Sequence, residues 1–356
     1  MLHCILFCSA LAALPTLVSA QALDPAAPGA GAQAPVTAPE MTHEQKLTQY
    51  RRDQINLLAL HADPGSLVAA ALFAEADAGD NRRPAALKSP ALLKRAQESG
   101  DSSALVWWVT AATECHTAAK TCPSTETLQK LESLDAENAA VWLLSLWHAR
   151  QANDTPSARA ALTSAAQAKR YNDYFGALVS LLYEQQDVLP MSNDLLNATG
   201  ADASVAGYRL ITAANIAVSH VSLPGGQALV ETCQTKEPPE AELLADCVAV
   251  ARKMELSGSL FAQNAGLVLR ESLLPPGPDL DALRVRKRAL AWQMQSMSEL
   301  ASHLARETEV TRTYTQALAG SSDESAAVYA VLRSQHVALE PPAGWQPPET
   351  KAPGNP

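Results

Sequence analysis

Leu134-Asp135-Ala136-Glu137-Asn138-Ala139-Ala140-Val141-Trp142 decides how this 356-residue chain is read. A short polar turn ends in a capping residue and runs straight into an apolar helix, the entry to a helical hairpin. With Trp142 at the large-residue position of a first helix, Asn153-Asp154 falls at the turn. Ala158, Leu162 and Ala165 then take small, large and small positions on a second helix. Small residues let the paired helices approach, and large ones fill the gap to the next hairpin.

The same pattern recurs upstream. Thirty-five residues before Trp142 stands Trp107, within Asp101-Ser102-Ser103-Ala104-Leu105-Val106-Trp107-Trp108, followed by a partner helix at about Ser124 to Leu134. A further echo is Asp63-Pro64-Gly65-Ser66-Leu67-Val68-Ala69-Ala70, with its partner at about Pro90 to Glu98. Hairpins of this size cannot each bury an apolar face alone, so they must stack. The pattern resembles the tetratricopeptide repeat, most clearly over residues 139–172, although Ser145-Leu146 and Ala149 differ from the residues usual in that family. The resemblance implies an α-α superhelix, or solenoid, over residues 41–190, with ligands lying along the first helices. On this chain those inward positions are Leu143, Trp147, Arg150 and Gln151, and one step earlier Trp108, Ala112 and His116. It places Trp107 and Trp142 in the core, leaves Trp108 and Trp147 to line a groove, and offers Arg150 to a carboxylate or for stacking.

Composition points the same way. Hydrophobic residues make up 47% of the chain and aromatics only 5%, so the core must come from Ala and Leu, which suit closely packed helices. No run of Val, Ile and Thr alternates with period two, and the expected class is all-α. Residues 191–340 keep the helices and lose the period, giving an irregular helical region with a boundary near Pro190. Helices are expected at 203–220, 226–232, 240–256, 259–272, 280–307, 309–319 and 323–339. The breaks fall at Leu223-Pro224-Gly225-Gly226, Glu237-Pro238-Pro239 and Leu274-Pro275-Pro276-Gly277-Pro278.

The ends speak to location. Residues 1–20 carry an apolar run from Ile5 to Val18 and close on Val18-Ser19-Ala20, the pattern of a cleaved signal peptide. Export to the periplasm or beyond follows, with no transmembrane helix after cleavage. Residues 21–40, rich in Ala, Pro and Gly, read as a disordered linker, and 341–356 as a Pro-rich disordered tail. In that tail Trp345 either folds back onto the last helix or is offered to a partner.

Thirty-seven acidic residues against 27 basic give a net charge of −10, which disfavours nucleic acid and anionic membranes. The one basic cluster, Arg284, Arg286, Lys287 and Arg288, spreads round a helix and reads as a solvated or acid-paired face. Removing the leader takes Cys4 and Cys8 with it, leaving Cys115, Cys122, Cys233 and Cys247 in an oxidising compartment. Of three connectivities, nearest-neighbour pairing, Cys115–Cys122 and Cys233–Cys247, staples two hairpins and stabilises by roughly 2.5–3 kcal/mol each. A metal or redox site at Cys115-His116 with Cys122 nearby is the alternative, supported neither by a two-residue cysteine spacing nor by a second histidine. No His-Glu-x-x-His, Gly-x-Ser-x-Gly or phosphate-loop motif occurs, and the eight histidines are scattered, so no catalytic, metal or cofactor residue is assigned. The expected function is a non-catalytic exported helical repeat protein that binds a protein or peptide in the bacterial periplasm or envelope. The alternative is an envelope hydrolase whose site carries no recognisable motif.

Overall fold

The computed structural model describes residues 41–77, 82–100, 103–117, 122–221, 225–234 and 240–348. The expected leader and linker, residues 1–40, lie outside the described residues, as does the end of the tail from 349. The described residues are all-α, with seventeen α-helices and no strand. In the first half these are α1 (His43–Leu60), α2 (Pro64–Ala76), α3 (Ser89–Glu98), α4 (Ala104–Thr117), α5 (Thr125–Asp135), α6 (Ala139–Gln151), α7 (Thr155–Gln167) and α8 (Phe175–Gln185). There follow α9 (Asn193–Ala198), α10 (Val205–Val221), α11 (Gly225–Cys233), α12 (Ala241–Glu255), α13 (Leu260–Leu273), α14 (Pro278–Glu299), α15 (Ala301–Arg306), α16 (Thr308–Ser321) and α17 (Glu324–Ser334). None of these helices is long and apolar enough to cross a membrane.

Local chemistry sets the starts. Thr42 and Gln45 form a reciprocal capping box on α1, and Asp63, Ser124, Asn138, Asp154, Ser259 and Asp323 each accept a backbone N–H at the head of a helix. The stretch Leu134–Trp142 makes a polar lock between two turns. Asn138, fully buried, receives the amides of Ala140 and Asn172 on its side-chain oxygen and donates to Asp135 and to the Asn172 carbonyl, each at 2.8–3.1 Å. Asp135 also accepts from Arg170 and from the Tyr174 hydroxyl, which ties the α5–α6 turn to the segment between α7 and α8.

The three expected hairpins pair as α2 with α3, α4 with α5 and α6 with α7. The second half then packs across them: α10 lies on α8 and α4, α11 on α6, and α12 on α7. One buried cluster gathers Leu58, Leu72 and Leu92 with Leu178, Leu210, Leu283, Tyr314 and Val331, so a line drawn at residue 190 runs through continuous core. Backbone meets backbone at the crossings. A Cβ on Gly207 would stand 1.8 Å from the Ala305 carbonyl oxygen, and one on Gly176 2.2 Å from that of Ser322.

Two expectations are corrected. The helix drawn over 280–307 breaks at Leu300, and the short α15 carries Leu304 and Ala305 onto α10, where the Ala305 carbonyl accepts the Ser204 amide at 2.9 Å. The tail is not free from Pro341 onward. Trp345 meets Trp292 of α14 edge to face at 5.5 Å, and Arg288 donates to the carbonyls of Trp345 and Pro342. It folds back onto α14, not the last helix, because Arg288 and Trp292 offer charge-assisted and aromatic partners there. The other cations of the basic cluster pair with acids, Arg284 and Lys287 with Glu271 and Arg286 with the buried Glu255. Both disulfides form as nearest neighbours, with Cα–Cα separations of 4.9 Å for Cys115–Cys122 and 5.8 Å for Cys233–Cys247.

Gly207→Ala should therefore lower stability by about 1–3 kcal/mol or more through overpacking. Gly226→Ala, where a Cβ would meet nothing within 4 Å, should be neutral or slightly stabilising. Urea unfolding followed by circular dichroism reads both.

Candidate functional site

The groove expected from the repeat resemblance is filled by the chain itself. Leu143 is 1% exposed because the start of α11 lies directly on it, a Cβ on Gly225 falling 2.9 Å from the Leu143 carbonyl. Trp147 packs, half-buried, into the cluster formed by Leu143, Leu146 and Leu229. Arg150 donates to Thr232 and Glu231 of α11 at 3.0 Å each, and Gln151 donates to the Cys122 carbonyl at 3.1 Å. Trp108 is 2% exposed, 5.1 Å from the Tyr174 ring, and its indole N–H is given to the His220 carbonyl; Ala112 is fully buried. Trp107 is in the core, while Trp142 is half-buried and donates to the Ala136 carbonyl. Repeat spacing sets which residues face inward on α4 and α6, but not which helix lies over them.

His116 alone among those positions reaches an open polar cluster. It projects from the last turn of α4 beside Cys115, whose bridge to Cys122 ties down the end of that helix. Its Nδ1 lies 3.1 Å from Glu75 Oε1 of α2, and its ring is 5.1 Å from that of His220 of α10, edge to face. His220 is 2% exposed, with Nδ1 2.9 Å from the Ile216 carbonyl and Nε2 3.5 Å from Glu75 Oε2. The hydroxyls of Thr113 and Ser89 donate to the same Glu75 oxygen at 3.2 and 3.4 Å. Burial pushes the Glu75 carboxyl's pKa up, but the neighbouring imidazoles of His220 and His116 outweigh it and hold the group down at about 2. One ligand-type atom from each of Glu75, His116 and His220 lies within 4.8 Å of the others. Sequence reasoning missed Glu75 and His220. The three are separated by 41 and 104 residues, and no spacing signal connects them.

A second buried polar group sits where α8, α13 and α17 begin. Asp173 accepts the Phe175 amide at 3.2 Å, and Glu324 accepts the Leu260 amide at 2.8 Å. Burial raises the pKa of both carboxyls, and the Asp173 and Asp323 charges add to the effect on Glu324, which rises to about 8 despite the Leu260 hydrogen bond.

On the surface, α12 carries an apolar stripe. Leu244, Ala245, Val248, Ala249 and Leu256 are exposed or half-buried along one side, next to Arg252 and Lys253, while Cys247, Val250, Ala251 and Met254 are buried on the other. Comparison with protein-family models, curated proteins and solved structures finds no match to this chain.

A carboxyl whose folded pKa is raised contributes stability in full below its ordinary value of 4.5 and loses that contribution as pH rises through about 8. Wild-type protein should therefore lose stability over that window, and Glu324→Gln should lose less of it. Urea midpoints measured across the window check this, and an unchanged pH profile in Glu324→Gln would contradict it.

Proposed function

We propose that the chain is a non-catalytic exported helical protein that binds a partner protein or peptide in the bacterial periplasm or envelope, and that its contact face is the outer stripe of α12. The TPR-like reading belongs to the same proposal, with its hairpins acting as the support and not the groove. The observation that carries the proposal is the run Leu244, Ala245, Val248, Ala249 and Leu256, with Leu256 67% exposed. Apolar side chains gathered at helical spacing on a surface mark contact sites more often than scattered ones do. The Cys233–Cys247 bridge anchors α12 to α11, so the stripe is held rigid and little ordering cost remains for a partner to overcome.

The occupant best matched to this surface is an amphipathic helix with an acidic edge. Its apolar side would lie on the stripe, and its carboxylates would face Arg252, an exposed cation beside the apolar run. Export is favoured by the two disulfides and agrees with the absence, among the described residues, of any helix able to cross a membrane.

A photo-crosslinking residue at Val248, in full-length protein expressed in its native host, should capture a discrete partner. Leu244→Glu should abolish the capture without loss of helical content. Recovery of the same products from a crosslinker at exposed Gln316, or none from Val248, would count against the proposal.

A further inference from the structure

We infer that Glu75, His116 and His220 form a binding site for a divalent transition-metal ion of the zinc class. The site lies apart from the α12 stripe and does not depend on the function proposed for it. Three helices, α2, α4 and α10, each bring one ligand, and the two imidazoles and the carboxylate converge to within 4.8 Å.

His220 carries the argument furthest. Its Nδ1 lies 2.9 Å from the Ile216 carbonyl, which can only accept, and 2.8 Å from the Ser219 hydroxyl, whose own proton goes to that same carbonyl at 2.7 Å, so both contacts are satisfied when Nδ1 bears the proton of the neutral ring. Nε2 then presents a lone pair. That nitrogen is buried, has no hydrogen-bond partner, and faces a Glu75 oxygen at 3.5 Å. Two acceptors opposed in a water-poor setting repel unless a positive species lies between them. A proton on Nε2 would serve, but the surroundings suit a metal better, because a second imidazole points at the same carboxylate from the open side. His116 Nδ1 lies 3.1 Å from Glu75 Oε1.

The spacings fit. Bonds of about 2.0–2.1 Å in tetrahedral array place neighbouring ligand atoms roughly 3.3 Å apart. The contacts to Glu75 lie near that distance, 3.1 Å from His116 to Oε1 and 3.5 Å from His220 to Oε2, one on each carboxylate oxygen, and with all three ligand atoms within 4.8 Å a small side-chain adjustment draws them onto one ion. Two nitrogens with one carboxylate suit zinc or copper(II) over calcium or magnesium, which take oxygen ligands. Three protein ligands leave a fourth position, and the exposed His116 puts it on the solvent side.

The outer partners are those a metal site needs. The Ile216 carbonyl fixes the tautomer of His220, the Trp108 indole holds the His220 backbone, and the Thr113 and Ser89 hydroxyls orient the carboxylate. Cys115 and Cys122 are committed to their disulfide, so the imidazole is what the end of α4 offers.

Calorimetric titration of chelator-treated full-length protein with Zn²⁺ tests the site. One ion should bind per chain. Thr113→Val should weaken binding within the roughly 10–100-fold that losing an outer partner costs, and His116→Ala, an exposed change that leaves folding intact by circular dichroism, should weaken it by more. Co²⁺ in place of Zn²⁺ should give the intense visible bands of a tetrahedral centre, lost in His116→Ala. His303→Ala, which removes the surface His303–Glu307 pair, should leave binding unchanged. Absence of stoichiometric uptake, uptake unchanged in His116→Ala, or uptake lost in His303→Ala overturns the assignment.

Discussion

The carbonyl of Ala305 stands where a side chain on residue 207 would have to go, and the same holds for Ser322 against Gly176 and Ala251 against Gly266. Helices can come this close only where a Cβ is missing, and at these three crossings later segments of the chain lock onto earlier ones or onto their neighbours. Ala-rich surfaces such as Ala69, Ala70 and Ala71 on α2 extend the same close approach through the core. Dispersion falls off steeply with separation, so the gain from many short contacts replaces what bulky aromatics would otherwise supply. The 5% aromatic content is thus consistent with a well-filled interior.

Two sets of paired polar groups buried by this packing fix register. Asp135 and Asn138 hold two turns together, and Glu255 joins Arg270 to Arg286 across α12, α13 and α14. Such ion pairs add little net stability because of the desolvation they require, but removing one partner leaves an uncompensated charge, so misaligned packings are penalised. The same close packing brings Glu75, His116 and His220 together: α2, α4 and α10 approach one another within the shared core, and Trp108 ties the backbone of α10 to α4.

Much of the local structure was legible in the sequence. The capping residue that ends the Leu134–Asn138 turn marked the start of α6, the expected partner helix from Ser124 is α5, and proline-glycine breaks marked several ends. Pairing of α6 with α7 followed from Trp142, Leu162 and Ala165, and the short cysteine spacings gave both disulfides. What could not be read was long-range. Nothing in residues 139–151 says that Gly225 will rest on Leu143, because a helix covering a groove leaves no mark on the helix it covers. The polar cluster was hidden for the same reason: its members share no period and meet only through tertiary packing. The break at Leu300 escaped too, since Ser296 and Ser298 are compatible with a continuing helix and the turn serves the fit of α15 on α10.

The central claim is that close helix approach joins both halves of the chain into a single core. Differential scanning calorimetry of the oxidised protein tests it most directly. One endotherm whose calorimetric and van't Hoff enthalpies agree is the expected result. Two resolved transitions, with the segment before residue 190 melting independently of the segment after it, would contradict the account.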